Sequence, residues 1–351
     1  MLPKLSVPII QAPMLGASTP QMAIAVSEAG GLGSLAPGLG PKELRQAIAA
    51  VRAGTDRPFA VNLFVLEPAA ADPTEVARAL ELLAPYYSAL GLLTPLLPTR
   101  WAEDFADQFE ALVESRVAAA SFTFGCLTAA QVDRLHGVGT AVIGTATTVA
   151  EARAWEAVGA DAVCAQGSEA GGHRGTFLAP VEASLIGTMA LVPALRDAVR
   201  CPVIAAGGIM DGRGIAAALT LGAWAVQLGT AFLLTPEAAT SAPWRQAIAA
   251  APPDATRLTR AFSGRYARGI ENRFMRELRP VEQTLPPYPV QNALTQPLRQ
   301  AAARAGQPEL MSLWAGQGLK QIRTLGAAAL VGTLWAETRE ALTAAQRHIA
   351  G

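Results

Sequence analysis

Residues 202–233 read PVIAAGGIMDGRGIAAALTLGAWAVQLGTAFL. The stretch begins with an apolar run that ends in two glycines, and it ends with a second apolar run. A helical run that begins at Asp211 and ends at Gly222 lies between them. Neither apolar run has a polar face, which is typical of parallel strands buried on both sides. We therefore predict a strand–helix–strand unit of a parallel sheet.

The same unit repeats along the chain from residue 7. We predict eight strands, at residues 7–14, 31–36, 59–64, 117–124, 140–145, 161–167, 202–208 and 225–233. Eight strands that alternate with helices form either a closed (β/α)8 barrel or an open doubly wound sheet. No G-x-G-x-x-G motif follows the first strand, and the repeat spans about 230 residues, so the pattern favours a (β/α)8 TIM barrel of the α/β class.

Two segments fall outside this repeat. Residues 67–115 are longer than one crossover helix, and residues 236–351 follow the eighth strand. We expect residues 1–235 to form the barrel, with an insertion at about 67–115. We expect residues 236–351 to form a smaller, mainly helical region that covers the barrel mouth and partly completes the barrel.

The composition excludes several classes of protein. The chain has 351 residues, of which 51% are hydrophobic and 16% charged, so it is globular and not disordered. Its 28 basic residues balance 28 acidic residues, which leaves no basic field for nucleic acid or an anionic membrane. None of the lysines belongs to a GxxxxGK[ST] loop, which excludes P-loop nucleotide hydrolases. We expect no metal site, because the three histidines lack local metal-site spacing and no CxxC pair occurs.

One uncharged stretch, residues 214–236, is long enough to cross a bilayer. Gly222, Gln227 and Gly229 divide it into a helical half and a β-rich half, so a buried helix and strand are favoured over a membrane span. The N-terminus has no long apolar segment of the kind found in signal peptides. We expect a soluble, cytoplasmic protein, either a monomer or a homodimer.

Two of the three histidines and two of the three cysteines are expected to have no role in chemistry. His136 lies on a predicted outer helix and His348 in the C-terminal tail, so we expect both at the surface. Cys164 and Cys201 fall inside or beside strands and are expected to be packing residues. Cys126, just after the fourth strand, is not excluded as a nucleophile.

The residues at the carboxyl ends of the strands define the barrel mouth, where TIM-barrel enzymes carry their active sites. Most of them are glycines or small polar residues, and carboxylates are nearly absent. A glycosidase needs two facing carboxylates, and a divalent-metal enzyme needs several oxygen ligands, so both are disfavoured. Such a mouth suits a large planar ligand held by backbone groups.

A phosphate site is predicted at the last two strands. Gly207 and Gly208 follow the seventh strand, and Gly229 and Thr230 end the eighth. Glycines at these turns allow backbone N–H groups to point at an anion, and the next helix N-terminus adds a favourable dipole. The alternative is that the glycines only permit tight turns.

The loop after the sixth strand, QGSEAGGHRG at residues 166–175, supplies the candidate base. Gln166 can hydrogen-bond a ring edge, and Gly171 allows close approach of a ligand. His173 then lies at the mouth in a flexible loop, and its ordinary pKa suits proton transfer near neutrality, although a solvated loop histidine is the alternative. Asn62, at the end of the third strand, either contacts a heteroaromatic ring or caps the next segment.

These pieces together resemble the nitronate monooxygenase family, formerly called 2-nitropropane dioxygenases. The motif GADAVCAQGSEAGGHRGTF at residues 159–177 carries the most specific part of the resemblance. The later segments, AFSGRYARGIENRF at 261–274 and SLWAGQGLKQIR at 312–323, are similar to the C-terminal part of class I members. The remaining matching motifs are PIIQAPMLGAS, AVSEAGGLGSLAPG, VNLFV, SFTFG, GTATTVAEA, PVIAAGGIMDGRG and AVQLGTAFL.

The resemblance implies a barrel that contains FMN. It also implies oxidation of alkyl nitronates such as propionate 3-nitronate by dioxygen, through one-electron transfer to flavin, to a carbonyl compound and nitrite. By position in the motifs, His173 would be the catalytic residue and would first deprotonate neutral nitroalkanes. The residues that would bind FMN are Met14, Asn62, Gln166, Gly171, Gly207, Gly208, Gln227, Leu228, Gly229 and Thr230.

Two other functions remain open. The same kind of barrel serves NAD(P)H-dependent enoyl-thioester and quinone reductases, and a non-catalytic flavin- or phosphate-binding module would share its loops. A barrel like IMP dehydrogenase is disfavoured, because it needs a nucleophilic cysteine in a mobile loop and the sequence context of Cys126, the only candidate, does not fit. A nitronate is an anion, and Arg174, Arg265 and Arg268 are the candidate cations for it.

Overall fold

The computed structural model describes residues 1–350, with side chains described through residue 347. The side chain of His348, which the sequence assigns to the surface, lies outside the described residues.

Eleven strands occur in the described chain. They are β1 (Ile9–Gln11), β2 (Gly33–Leu35), β3 (Phe59–Phe64), β4 (Ala119–Thr123), β5 (Ala141–Ala146), β6 (Ala162–Gln166), β7 (Gly172–His173), β8 (Val203–Ala206), β9 (Ala225–Leu228), β10 (Thr256–Thr259) and β11 (Ala267–Ile270). Eight of them form one parallel sheet in the order β1-β9-β8-β6-β5-β4-β3-β2. A parallel bridge between Ile10 and Leu32 joins the first strand to the segment before β2 and nearly closes the sheet. The predicted eight strands and the (β/α)8 barrel are confirmed.

Helices surround this sheet. They are α1 (Pro20–Glu28), α2 (Pro41–Gly54), α3 (Pro73–Ala89), α4 (Phe105–Ser115), α5 (Ala129–Gly137), α6 (Val149–Ala157), α7 (Thr188–Ala198), α8 (Gly212–Thr220), α9 (Ala242–Ala250), α10 (Arg273–Leu278), α11 (Val290–Arg304) and α12 (Ala327–Ala350). No helix in the described part of the chain combines the length and apolar character that a membrane span requires.

The helix starts follow from polar caps in the sequence. Thr19 caps α1 by accepting a hydrogen bond from the Met22 N–H, and Thr148 caps α6 in the same way. Asp211 caps α8 by accepting from two backbone N–H groups of the first turn. Each cap satisfies donors that have no partner inside the helix, which fixes where the helix begins.

Two large apolar clusters divide the buried core. One fills the layer between the strands and the helices, and the other lies among α3, α9, α10 and α11 above the mouth. Helix α12 packs on α8 and α1, and its buried Leu330, Val331 and Leu334 belong to the layer around the barrel. The C-terminal segment therefore contributes both to the cover of the mouth and to the helix ring. The proposed boundary at residue 235 stays a prediction.

A second, small sheet was not predicted from the sequence. Strands β10 and β11 pair antiparallel, and β11 pairs antiparallel with the two-residue strand β7. His173 lies opposite Ala267 in this pairing. His173 is therefore fixed in a sheet and does not lie in a flexible loop, because its backbone is held by a strand that is remote in sequence.

Candidate active site

A cavity lies at the carboxyl ends of the barrel strands. The cover closes it with residues of α9, of α11 and its N-terminal flank, and of the segment 314–318. Among the described residues that line it there is no aspartate, glutamate or lysine, and Arg299 is its one arginine. The carboxylate-poor mouth that the sequence predicts is therefore present in the fold.

The structure brings most of the sequence-predicted site residues together. The residues among them that line the cavity are Met14, Asn62, Gln166, Gly171, His173, Gly207, Gly208, Gln227, Gly229 and Thr230. Leu228 differs, because its side chain is buried in the layer between the strands and the helices. Only the backbone of Leu228 is therefore available to a ligand in the cavity.

The backbone requires glycine at the end of β8 but not at the end of β9. Gly207 and Gly208 have φ values of 110° and 72°, which side chains other than glycine rarely adopt. Gly229 has a φ of −108°, and a Cβ built there would meet the nearest protein atoms, Ala12 Cβ and Met14 Sδ, at 3.5 Å. The backbone therefore does not require glycine at 229, and an added methyl group would extend into the cavity.

A third backbone segment joins these two loops. The Gly316 N–H donates to Thr230 Oγ1 at 2.9 Å, which leaves the hydroxyl hydrogen of Thr230 free to donate to a ligand. Gly171 lies so close to this segment that a Cβ there would be 2.5 Å from the Gly316 nitrogen. Gly316 belongs to the SLWAGQG motif, to which the sequence analysis assigned no role.

His173 is held by one hydrogen bond of defined direction. Its Nε2 lies 2.8 Å from Ser263 Oγ, and the Ser263 hydroxyl donates to the Arg265 carbonyl at 2.9 Å. Because the single hydroxyl hydrogen is used there, Ser263 accepts from Nε2–H, and the lone pair of neutral His173 is on Nδ1.

Aromatic rings surround His173. Its ring centroid lies 5.4 Å from that of Phe124, 5.6 Å from that of Tyr288 and 5.6 Å from that of Trp314. Burial, followed by the charges of Arg265 and Arg299, lowers the pKa of His173 from 6.5 to about 3. His173 is therefore a neutral base at physiological pH, whereas the sequence alone suggested an ordinary histidine pKa.

Gln166 positions the segment that carries His173. Its Nε2 donates to the His173 carbonyl at 3.0 Å, and its Oε1 accepts from the Gly175 N–H at 2.8 Å. The side chain thus connects the end of β6 to both sides of the histidine. Asn62 donates in a similar way to Ser121 Oγ at 2.8 Å.

The three arginines suggested by the sequence as cations for a nitronate do not line the cavity, so that expectation is wrong. Arg174 is fully buried and donates to three backbone carbonyls. The Arg265 guanidinium lies 4.1 Å from the centroid of Phe124, and Arg268 donates to the Ser168 carbonyl. All three are used to hold loops, because backbone carbonyls outside regular structure need donors. Arg299 lines the cavity instead.

Several side chains of the site were not predicted from the sequence, and four of them matter for the chemistry. Ser263, Tyr288, Arg299 and Trp314 come from the C-terminal third, where no strand pattern indicates which residues face the mouth. Ser263 and Trp314 lie in the two later motifs of the family resemblance, which was the one signal in the sequence that could have found them.

A family model and curated relatives match most of this chain. The family model of nitronate monooxygenase matches residues 2–337. The chain belongs to the nitronate monooxygenase family. It is 47% identical over 337 residues to the nitronate monooxygenase of Pseudomonas aeruginosa, covering 95% of this chain and 96% of that protein. It is 43% identical over 312 residues to a probable nitronate monooxygenase of Staphylococcus aureus, with 88% of each chain covered. The family consists of flavin-dependent oxidoreductases, so the chain is an enzyme of that class.

Two solved structures extend the comparison. The nitroalkane oxidase of Streptomyces ansochromogenes has a TM-score of 0.91 and 44% sequence identity, over 97% of this chain and 98% of that one. FabK of Thermotoga maritima has a TM-score of 0.77 and 31% identity, over 98% and 96% of the two chains. The nitroalkane oxidase is therefore more similar to this chain in both backbone and sequence than FabK is.

Proposed function

We propose that this enzyme binds FMN and oxidises small alkyl nitronates with dioxygen to a carbonyl compound and nitrite. The observation that carries the proposal is the joint position of two features in one cavity. A cradle of glycine backbone groups and the Thr230 hydroxyl lines the same cavity as a half-buried, neutral His173. The relatives named nitronate monooxygenase and nitroalkane oxidase support the same conclusion.

The residues present suit FMN. Its phosphate needs several donors in one place, and its ring needs an uncharged slot, which the absence of carboxylates from the described lining provides. Gly229 lines the cavity although neither its backbone angles nor a close protein contact requires glycine there, which supports a ligand at this point. We assign to FMN the ten residues named from the sequence, with Leu228 contributing backbone only. When bound, FMN would accept electrons from the nitronate one at a time.

The protein supplies a base and a dry environment. Nδ1 of His173 carries the free lone pair and would remove the α-proton of a neutral nitroalkane. Ser263 and Gln166 fix the ring and its backbone, so the base is positioned before the substrate binds. Phe124, Tyr288 and Trp314 exclude water from the ring, which keeps it uncharged.

The test combines cofactor identity with product formation. The cofactor released from purified protein by heat is identified by mass, and nitrite and oxygen are followed on addition of ethylnitronate or propionate 3-nitronate. We expect FMN and release of nitrite with consumption of oxygen. A different flavin, or no nitrite from either nitronate, would contradict the proposal.

A second candidate is an NAD(P)H-dependent flavin reductase that acts on enoyl thioesters or quinones. It stays open because such reductases use the same kind of barrel. It differs in the electron donor, because a nicotinamide would then reduce the flavin in place of a nitronate.

We also propose a cytoplasmic location, since the three cysteines are unpaired and the relatives are bacterial enzymes. The division at residue 235 and a monomeric or homodimeric state belong to the same proposal.

A further inference from the structure

Arg299 is a cation inside the cavity whose protein partners are all neutral. Its Nη2 donates to the carbonyl and to the side-chain oxygen of Asn292, at 2.9 and 2.8 Å. Longer contacts of 3.4 Å join Nε to the Thr295 carbonyl and Nη1 to Ser312 Oγ. Within the described side chains, no carboxylate forms an ion pair with Arg299.

This arrangement leaves a half-buried charge without a counter-ion. Partial burial lowers the pKa of Arg299 to about 10, and the acidic groups that oppose this shift are the hydroxyls of Tyr288 and Tyr87, which are themselves neutral near pH 7. A cation that is partly removed from water and unpaired is costly, and native structures keep one where a ligand or partner supplies the opposite charge. A bound anion would supply that charge.

Arg299 lines the same cavity as His173 and Tyr288. Its charge lowers the pKa of His173 and opposes the raised pKa of Tyr288. None of its hydrogen bonds involves the glycine loops of β8 and β9. The cavity therefore contains an anion cradle of backbone groups at one place and a single guanidinium at another.

We propose that Arg299 is the anion subsite for the substrate and that its Nη1 binds an oxygen of a planar nitronate or carboxylate group in the cavity shared with His173. The inference rests on the proposed function and deepens it, since it assigns the residue that binds the anionic form of the substrate. A guanidinium donates charge-assisted hydrogen bonds, which are stronger than those from a neutral donor. Nη1 has an N–H that no described residue accepts, and its contact with Ser312 is long enough to exchange for a ligand oxygen.

The binding test uses nitrate, a planar anion that is not a substrate. The flavin spectrum of the holoenzyme is titrated with sodium nitrate at constant ionic strength, with sodium chloride as the control salt. We expect the Kd for nitrate to rise at least about tenfold in Arg299→Gln, as for loss of a hydrogen bond to a charged group, and less in Arg299→Lys. Arg304→Gln is the matched control, because Arg304 lies on the same helix but is exposed.

The kinetic test compares a charged substrate with an uncharged substrate of similar shape. Ethylnitronate and nitroethane share a carbon skeleton, and only the former is charged. We expect kcat/KM for ethylnitronate to fall about 10- to 100-fold in Arg299→Gln, mainly through KM. Nitroethane becomes charged only during proton removal, so we expect its KM to change less than about threefold. If propionate 3-nitronate is affected and ethylnitronate is not, Arg299 binds the carboxylate; if both are affected, it binds the nitronate. Either result supports the anion subsite.

Several results would overturn it. They are equal rises in KM for ethylnitronate and nitroethane, no kinetic change in Arg299→Gln, or a nitrate Kd that is the same in that variant and in the wild type. Absence of nitrate binding to the wild type would count against it too. Flavin content and thermal unfolding are measured for each variant, and Arg299→Lys keeps the test informative if Arg299→Gln does not fold. Failure of the proposed function is separate, since it appears as no nitrite release by the wild type, whereas the nitrate titration needs no turnover.

Discussion

At the scale of single residues, the identity of the base was predictable and its environment was not. His173 was selected because it lies in a glycine-flanked segment at the end of a barrel strand. Its low pKa comes first from burial among residues such as Tyr288 and then from the charges of Arg265 and Arg299. These three residues lie 92 to 126 positions later in the chain and approach His173 only through the fold. Sequence spacing carries no information about such contacts.

Replacement of the base should separate two substrates. In His173→Gln we expect kcat/KM for nitroethane to fall by about 10²- to 10⁴-fold, because that substrate needs proton removal. Ethylnitronate is already deprotonated and should lose much less. The matched control is His136→Gln, since His136 lies on α5 beside Asp161 and does not line the cavity. Initial rates of nitrite release measure both, and equal losses for the two substrates would argue against a base.

The pH dependence follows from the lowered pKa of His173. The base is active when neutral, and a pKa of about 3 keeps it neutral as the pH falls well below the ordinary value of 6.5. We therefore expect kcat/KM for nitroethane to show no ionisation near pH 6.5 and to decline only at more acidic pH. The same shift makes the folded state less stable in acid, since the unfolded chain takes up a proton on this histidine below pH 6.5. A pH profile with a break near 6.5 would contradict this.

At the scale of elements, the barrel strands and the helix caps followed from local pattern. The eight apolar runs form strands at the predicted places, and the helix predicted to begin at Asp211 is capped by that residue. The small sheet was missed because β7 has two residues and pairs with β11, which begins at Ala267. A strand so short has no alternating pattern, and only its remote partner defines it.

If the glycine loops bind the flavin, a substitution that blocks them should remove flavin and leave the protein folded. In Gly229→Ala the new methyl group would extend into the cavity, and no backbone strain arises because φ is negative. We expect the flavin content to fall at least about tenfold, with a change of less than about 0.5 kcal/mol in the unfolding free energy of the apoprotein.

The control for that variant is Gly332→Ala in α12, where a Cβ would meet nothing within 4 Å. It should keep its flavin and gain about 0.5–1 kcal/mol of stability from helix propensity. Flavin absorbance relative to protein absorbance measures both variants. Full flavin content in Gly229→Ala would show that the cradle is not a ligand site.

At the scale of the whole molecule, the sequence predicted a barrel with a C-terminal cover. In the structure the C-terminal segment also adds a helix to the ring around the barrel. Residues of α9–α11 cover the mouth, while α12 lies in the helix ring against α8 and α1. The sequence could not assign α12 to the ring, because its amphipathic pattern fits any apolar surface. The position of α12 depends on where the preceding elements, α9–α11, end in space.

Truncation at residue 235 should therefore fail to give a stable barrel. It removes Leu330, Val331 and Leu334, each buried to 1% exposure or less in the layer around the strands. Each such side chain contributes about 1.5–3 kcal/mol, and a domain has only about 5–15 kcal/mol of net stability. Circular dichroism during heating measures the result. A cooperative unfolding transition in residues 1–235 would contradict the account and support an independent barrel.

The central claim is that a nitronate, and not a nicotinamide, supplies electrons to the flavin in this cavity. The most direct measurement mixes the purified enzyme without air with ethylnitronate, NADH or NADPH in parallel and follows the flavin absorbance. The account predicts rapid loss of the oxidised flavin spectrum with ethylnitronate and no change with either nicotinamide over the same time. Rapid bleaching by NADH or NADPH, with an unchanged spectrum in ethylnitronate, would contradict it and favour a reductase.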